Sequence, residues 1–152
     1  MKKLLLLVPV FLLLLAACEG PAGRDGLDGN EPYWFVQTYT IQANDWQLVN
    51  SPDQLGSYFQ VRVPIAQLNR DIYEDGLVSC YMFQRNSSNT EVQTPLPFTN
   101  HYGVGNNENE HLWTETFSYD YTPGFITFYV CYSDFFTSNR PDKTSFRVVL
   151  NY

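Results

Sequence analysis

The sequence predicts an all-β fold, namely an antiparallel β-sandwich of about seven or eight strands, immunoglobulin-like or jelly-roll in type. Aromatic residues are abundant, with 3 Trp, 11 Tyr and 11 Phe among 152 residues, and such residues favour strands over helices. Short segments of alternating apolar residues follow residue 31, and turn signals separate them. A small barrel is the alternative architecture with the same pattern.

The first half of this region contains five predicted strands. Phe59, Val61 and Val63 alternate in one of them, and Asp75-Gly76 predicts a turn before another. The last of the five is predicted at a sheet edge, because its prolines cannot donate to a ladder. One helical turn is expected at 64–68, since Pro suits the first helical position. The five strands are 33–41, 46–49, 57–63, 77–84 and 91–97.

The second half contains three predicted strands. A polar loop is expected at 100–110, which has two Gly and four Asn. In the strand that follows, Trp113 and Phe117 share one face, and Pro123-Gly124 predicts the next turn. The three strands are 111–121, 125–132 and 144–152. Because the chain ends on an alternating segment, we expect the C-terminus to be built into a sheet.

The N-terminus has the pattern of a bacterial lipoprotein signal. Lys2 and Lys3 precede an apolar segment at 4–15, which is too short for a transmembrane helix. The lipobox Leu-Ala-Ala-Cys then ends at Cys18. We therefore expect cleavage before Cys18 and lipidation of its thiol, which tethers the mature protein to a membrane without spanning it.

The chain divides into three predicted parts: a cleaved signal peptide at 1–17, a linker at 18–31 and a β-sandwich domain at 32–152. The linker has Gly at every third position between Gly20 and Gly29, which is the period of a collagen triple helix. Three triplets are too few to hold three chains together. The expected role is therefore a flexible arm, with assistance to a trimer as the alternative.

The start of the mature chain, Cys18-Glu19-Gly20-Pro21-Ala22-Gly23, resembles that of small Bacteroidetes lipoproteins with a collagen-like leader and a single β-domain. Segments farther along are similar to the same family. The resemblance implies a lipid-anchored β-domain in the outer membrane of a Gram-negative bacterium, facing the periplasm or the surface. It assigns no site residue. The similar segments are 46–49, 58–59, 63–64, 73–76, 123–126 and 146–150.

Charge narrows the range of partners. Without residues 1–17 the chain has 7 basic and 16 acidic residues, a formal net charge of −9. This balance argues against nucleic acid or an anionic lipid surface as a partner. The expected partners are the membrane through the lipid on Cys18, and an envelope protein or a glycan.

Cys80 and Cys131 remain after Cys18 is lipidated, in a compartment where disulfides persist. Strand phase places Cys80 with core-facing neighbours and Cys131 on the opposite face of its own strand. Two free thiols are therefore favoured over a bridge, which needs converging side chains.

No catalytic or cofactor motif stands out, and we expect neither enzymatic activity nor a cofactor. His101 and His111 flank the polar loop, but their spacing fits no zinc motif, so no metal site is predicted. Asp71, Glu74 and Asp75 fall within one turn, where capping and turn roles explain them.

Trp34, Trp46 and Trp113 are the candidate ligand-stacking residues. Such side chains stack on sugar rings at binding faces, but they also fill cores. We therefore expect a non-enzymatic binding or structural component of the envelope. The alternative is a carbohydrate-binding module for surface polysaccharide capture, which requires aromatic side chains grouped on one exposed face.

Overall fold

Nine strands form two antiparallel sheets in the computed structural model, which describes residues 33–105 and 111–152. The β-sandwich predicted from the sequence is thus confirmed. The four-stranded sheet has the order β1-β9-β4-β5, with β1 at Trp34–Ile41, β4 at Leu77–Arg85, β5 at Glu91–Pro95 and β9 at Thr144–Asn151. The five-stranded sheet has the order β2-β3-β8-β7-β6, with β2 at Gln47–Val49, β3 at Tyr58–Pro64, β6 at Phe98–Val104, β7 at His111–Thr122 and β8 at Phe125–Tyr132.

Strand β9 lies in the middle of its sheet, between β1 and β4. Phe146 of β9 is opposite Tyr39 on one side and Met82 on the other. The last strand of the chain therefore joins the first to the fourth, and the four-stranded sheet cannot form without it.

The core is aromatic and lies between the sheets. Phe146 stacks on Phe128 of the five-stranded sheet with ring centroids 4.2 Å apart, and it meets Trp46 edge-on at 6.3 Å. Trp46, Phe128 and Phe146 are fully buried. Stacked and edge-on pairs of this kind add to the stability that burial itself provides.

The helical elements differ from the sequence prediction. No helical turn forms at 64–68, because Pro64 belongs to β3 and is opposite Phe125 of β8. A short helix α1 lies instead at Arg70–Asp75, where the Asn69 side chain caps the helix by accepting a hydrogen bond from the Ile72 N–H at 2.9 Å. A 3-10 turn at Ala43–Asp45 precedes Trp46, so β2 begins at Gln47.

The polar segment at 100–110 also differs. Its first half lies in β6, which pairs with β7 from Phe98↔Phe117 to Val104↔His111. Residues 106–110 lie outside the described part of the chain. The loop predicted from composition is therefore wrong for residues 100–104. Asn and Gly are disfavoured in strands only on average, and pairing with the long strand β7 overrides that preference.

Cys80 and Cys131 are free thiols on different sheets. Cys80 is buried with Val78 and Met82, whereas Cys131 is exposed on the outer face of β8. The disulfide considered above is therefore not formed. Among the described residues, no helix is long and apolar enough to cross a membrane.

The predicted signal peptide, the predicted lipidation site Cys18 and the predicted Gly-X-Y linker lie outside the described residues.

Candidate functional site: an aromatic cleft

At one end of the five-stranded sheet, aromatic side chains lie on the inner face of the sheet. The four-stranded sheet does not cover them there. On β7, Trp113 has the same phase as buried Phe117, and the pairing with β6 runs without interruption between them. Tyr102 on β6 is opposite Trp113 and is 41% exposed. Side chains that alternation places on the inner face of the sheet are thus partly exposed to solvent at this end.

Three rings at this end are stacked in a row. Trp113 lies between Tyr102 and His111 in the row, with ring centroids 5.4 Å apart in both pairs and interplanar angles of 20° and 26°. We call these residues the ring row. Stacking of this kind fixes the orientation of each ring and so pre-organises the surface.

A cleft of about 380 Å³ lies beside the ring row, and we call it the aromatic cleft. The sheet contributes one side, and the segment 133–140, which connects β8 to β9, contributes the other. Val104, His111, Trp113 and Tyr132 line the cleft from the sheet, and Asp134, Phe136, Asn139 and Arg140 line it from the connecting segment.

The connecting segment is held on the sheet by a polar network. The Asp53 carboxylate accepts hydrogen bonds from the backbone N–H of Thr137 at 2.6 Å, from that of Ser138 at 2.8 Å and from the Ser138 hydroxyl. Ser57 Oγ donates to the Phe135 carbonyl at 3.0 Å. Ser57 and Thr137 are buried, whereas Asp53 and Ser138 are exposed, so the network runs from the surface into the protein and holds the segment that carries Phe136.

Asp53 and Asp134 are both stabilised as carboxylates. The hydrogen bond from the Ser138 side chain, together with those from two backbone N–H groups, lowers the pKa of Asp53. Desolvation acts against ionisation of Asp134, but hydrogen bonds from His111 and from the Phe136 N–H outweigh it and lower its pKa. Both groups are therefore charged at neutral pH.

His111 joins the two sides of the cleft. Its Nε2 lies 2.8 Å from Asp134 Oδ2, while Asp134 Oδ1 accepts from the Phe136 N–H at 3.1 Å. One carboxylate thus connects the ring row to the backbone that carries Phe136.

Glu115 is opposite Tyr132, which lines the cleft. Burial and then the charge of Glu115 raise the pKa of Tyr132, so its phenol stays protonated at neutral pH. Tyr102 Oη donates to Glu115 Oε2 at 3.1 Å, and burial and Glu115 raise its pKa too. Glu115 therefore holds the Tyr102 ring in place.

Arg140 closes the other end of the cleft. Its Nη1 donates to the carbonyl of Trp46 at 3.0 Å and to that of Asn44 at 3.2 Å. A guanidinium carries five N–H groups, so these two bonds position the side chain without using all of its donors.

The three tryptophans named as candidates have different environments. Trp46 is fully buried in the core, and Trp34 is 63% exposed on β1 of the other sheet. Trp113 alone among the three lines the aromatic cleft. Trp34 and Trp113 therefore lie on different sheets and do not form one platform.

Most of the partners of Trp113 are not evident from the sequence. His111 is predicted beside a polar loop, and no pattern predicts a role for Tyr102, Asp134, Phe136 or Arg140. The phase of the predicted strand 111–121 could have indicated His111, because it shares a face with Trp113. The residues of the connecting segment carry no such signal.

The described residues contain no group of three or more His, Cys, Asp or Glu side chains that could hold a metal ion. The chain matches no protein-family model, no curated protein and no solved structure. Its function is therefore argued from the chemistry of the aromatic cleft.

Proposed function

We propose that the chain is a lipid-anchored, non-enzymatic binding protein of the Gram-negative cell envelope, and that it binds a neutral saccharide in the aromatic cleft. The observation that carries the proposal is the ring row of Tyr102, Trp113 and His111, of which Trp113 and His111 line one cleft together with Phe136. Ligand sites are typically concave and apolar with a few placed polar groups, and this cleft has that composition.

The polar residues favour a ligand with hydroxyl groups. Asp134 supplies an acceptor, whereas Arg140 and Asn139 supply donors on the same side of the cleft. A sugar ring has apolar C–H faces and a rim of hydroxyls that both donate and accept. Aromatic walls with donors and acceptors at their ends match both parts of such a ring.

The charges favour a neutral ligand over an ionic one. The Asp134 carboxylate and the Arg140 guanidinium line the same cleft and offset each other. A cationic ligand would meet Arg140, and an anionic ligand would meet Asp134 and the nearby Glu115. A neutral sugar meets neither repulsion.

Backbone strain beside the cleft supports a binding role. Phe135 has a φ of +56°, a conformation that bulky residues rarely adopt. The Ser57 hydroxyl holds its carbonyl, and Phe136 follows directly on the cleft wall. Strain maintained by surrounding contacts is frequent at ligand sites.

The properties of the thiols are consistent with a non-enzymatic role. Burial raises the pKa of the Cys80 thiol to about 12, and partial burial raises that of Cys131 as well. Both thiols are therefore protonated at neutral pH, and a protonated thiol is a poor nucleophile.

The anchor is tested separately from the cleft. We expect the full chain produced in a Gram-negative host to fractionate with the outer membrane, and the Cys18→Ser variant to leave it, because the variant has no thiol to acylate. The Cys131→Ser variant is the control and should stay with the membrane. Release of both variants, or of neither, would contradict the anchor.

Ligand binding is tested by affinity electrophoresis through gels that contain starch, mannan or a mixed β-glucan, with alginate as the charged comparison. We expect at least one neutral polysaccharide to retard the protein, and Trp113→Ala to weaken retardation at least about tenfold, as loss of a central aromatic contact does. Trp34→Ala is the matched control and should behave as wild type. No retardation by any neutral polysaccharide, or equal loss in both variants, would count against the saccharide site and favour a structural or protein-binding role.

A further inference from the structure

We propose that β1 is an interaction edge through which two copies of this chain pair, β1 against β1, into one continuous eight-stranded sheet. The proposal rests on the open edge of the four-stranded sheet and is independent of the aromatic cleft. Strand β1 has β9 on one side, and no strand of the described residues on the other.

The backbone N–H and C=O groups of successive β1 residues point alternately toward β9 and away from it. Tyr33 and Tyr152 exchange both backbone hydrogen bonds, at 2.9 and 3.1 Å. Because bonded pairs alternate in an antiparallel ladder, Phe35, Gln37 and Tyr39 face β9 in the same way. The N–H and C=O groups of Trp34, Val36, Thr38 and Thr40 therefore point away from β9, along the open edge.

Nothing in β1 blocks pairing. The strand has eight residues without a charge or a proline, and all but Gln37 are aromatic or β-branched. Trp34 and Val36 are 63% and 53% exposed on its outer face. A long, uncharged edge strand is a template for another strand unless the protein protects it.

The other sheet edges of the described residues are less suited to pairing. Strand β2 has only three residues, and β6 contains Gly103, which weakens a strand. On β5, Glu91 adds a charge. Leu96 N–H bonds to Cys80 O, so Pro95 faces the open side, where its missing N–H leaves a gap in the edge. Among the described residues, β1 is therefore the edge with the least protection.

The charge pattern and the symmetry of the edge indicate a second copy as the occupant. Residues 18–152 carry a net charge of −9, and β1 contains no charged residue, so two copies can meet along this strand without opposing like charges. Pairing about a two-fold axis near Gln37 sets Val36 of one copy opposite Thr38 of the other. Such a contact is isologous and closes at two copies.

The test is the mass of the full chain in density-matched detergent, measured by sedimentation equilibrium over a range of concentrations. We expect wild type to reach twice the monomer mass and Thr38→Pro to remain at the monomer mass. This substitution removes an outward N–H without taking a hydrogen bond from β9. Gln93→Pro on β5 is the matched control, because its N–H also faces an open edge of the same sheet, and it should keep the dimer mass.

A second measurement shows that the contact is at β1. In a Cys131→Ser background, Thr38→Cys should give a dimer with a short bis-maleimide, whereas Glu91→Cys should not. Monomer mass at every concentration, dimers of Thr38→Pro, or equal cross-linking at both positions would overturn the proposal. A cross-linked product containing a different protein would also overturn it.

Discussion

The three tryptophans of this protein have different environments, and we expect different roles for them. Trp46, Trp34 and Trp113 have the same chemistry, but one is in the core, one on an outer sheet face and one in the aromatic cleft. The difference comes from strand phase and from what covers each position. Substitutions at the three sites should therefore separate stability from binding.

We predict that Trp46→Ala lowers the free energy of unfolding by about 3–5 kcal/mol, because it leaves a cavity beside Phe146. Trp34→Ala should change it by no more than about 0.5 kcal/mol, since that side chain is largely exposed. Urea titration followed by circular dichroism measures both. Equal losses would mean that the packing around Trp46 is misassigned.

The Asp53 carboxylate should make stability depend on pH. Its pKa is lowered in the folded state, so its contribution is present above the ordinary value of 3.8 and is lost as pH falls through the folded pKa. The Asp53→Asn variant removes the charge and one acceptor oxygen but keeps the backbone conformation, because Asn also tolerates the positive φ of +54° at this position.

We expect wild type to be more stable than Asp53→Asn at pH 7 and the difference to shrink toward pH 3. Urea midpoints of both proteins at the two pH values measure it. A difference of the same size at both pH values would show that the Asp53 charge does not hold the connecting segment.

At the scale of elements, two turns each require a glycine, for different reasons. Gly124 in the β7–β8 turn has a φ of +85°, and an added Cβ would meet no atom within 4 Å. Gly76 between α1 and β4 has an ordinary φ, but an added Cβ would lie 2.7 Å from Ile72 O and 2.9 Å from Asn151 O. One turn therefore needs the conformation of glycine, and the other needs its size.

The same substitution at both sites separates these causes. Gly124→Asn should cost less than about 1 kcal/mol, since Asn adopts positive φ more readily than other residues. Gly76→Asn should reach the upper part of the roughly 1–3 kcal/mol range of overpacked sites. Thermal unfolding of the two variants measures the order, and the reverse order would contradict this account of the turns.

Strand β9 is the element on which the four-stranded sheet depends most. Deleting residues 146–152 removes most of its pairing to both β1 and β4. We expect the truncated chain to lose its cooperative unfolding transition, because Phe146, Val148 and Leu150 are all fully buried. A truncated protein that still unfolds cooperatively would contradict the central place of β9.

At the scale of the whole molecule, alternation was enough to predict the sandwich and most of its strands. It worked because Phe59, Val61 and Val63, or Phe146, Val148 and Leu150, repeat with the period of a strand that has one buried face. The edge position of β5 followed from its prolines. Helix α1 was missed because a six-residue helix capped by Asn69 leaves little periodicity to detect.

The aromatic cleft was far less predictable. Trp113 could be named, since aromatic residues on strands are visible in the sequence. Asp134, Phe136 and Arg140 could not, because they lie on an irregular segment whose path is set by bonds to Asp53 and Ser57 about 80 residues earlier. No local pattern records contacts between positions so far apart.

Binding of a neutral saccharide in the aromatic cleft is tested most directly by the indole N–H signals of the three tryptophans in a ¹H–¹⁵N spectrum. We expect titration with an oligosaccharide from a retarding polysaccharide to move the Trp113 signal in proportion to occupancy, while those of Trp34 and Trp46 stay in place. Movement of Trp34 with Trp113 unchanged, or no movement at saturating sugar, would contradict the claim.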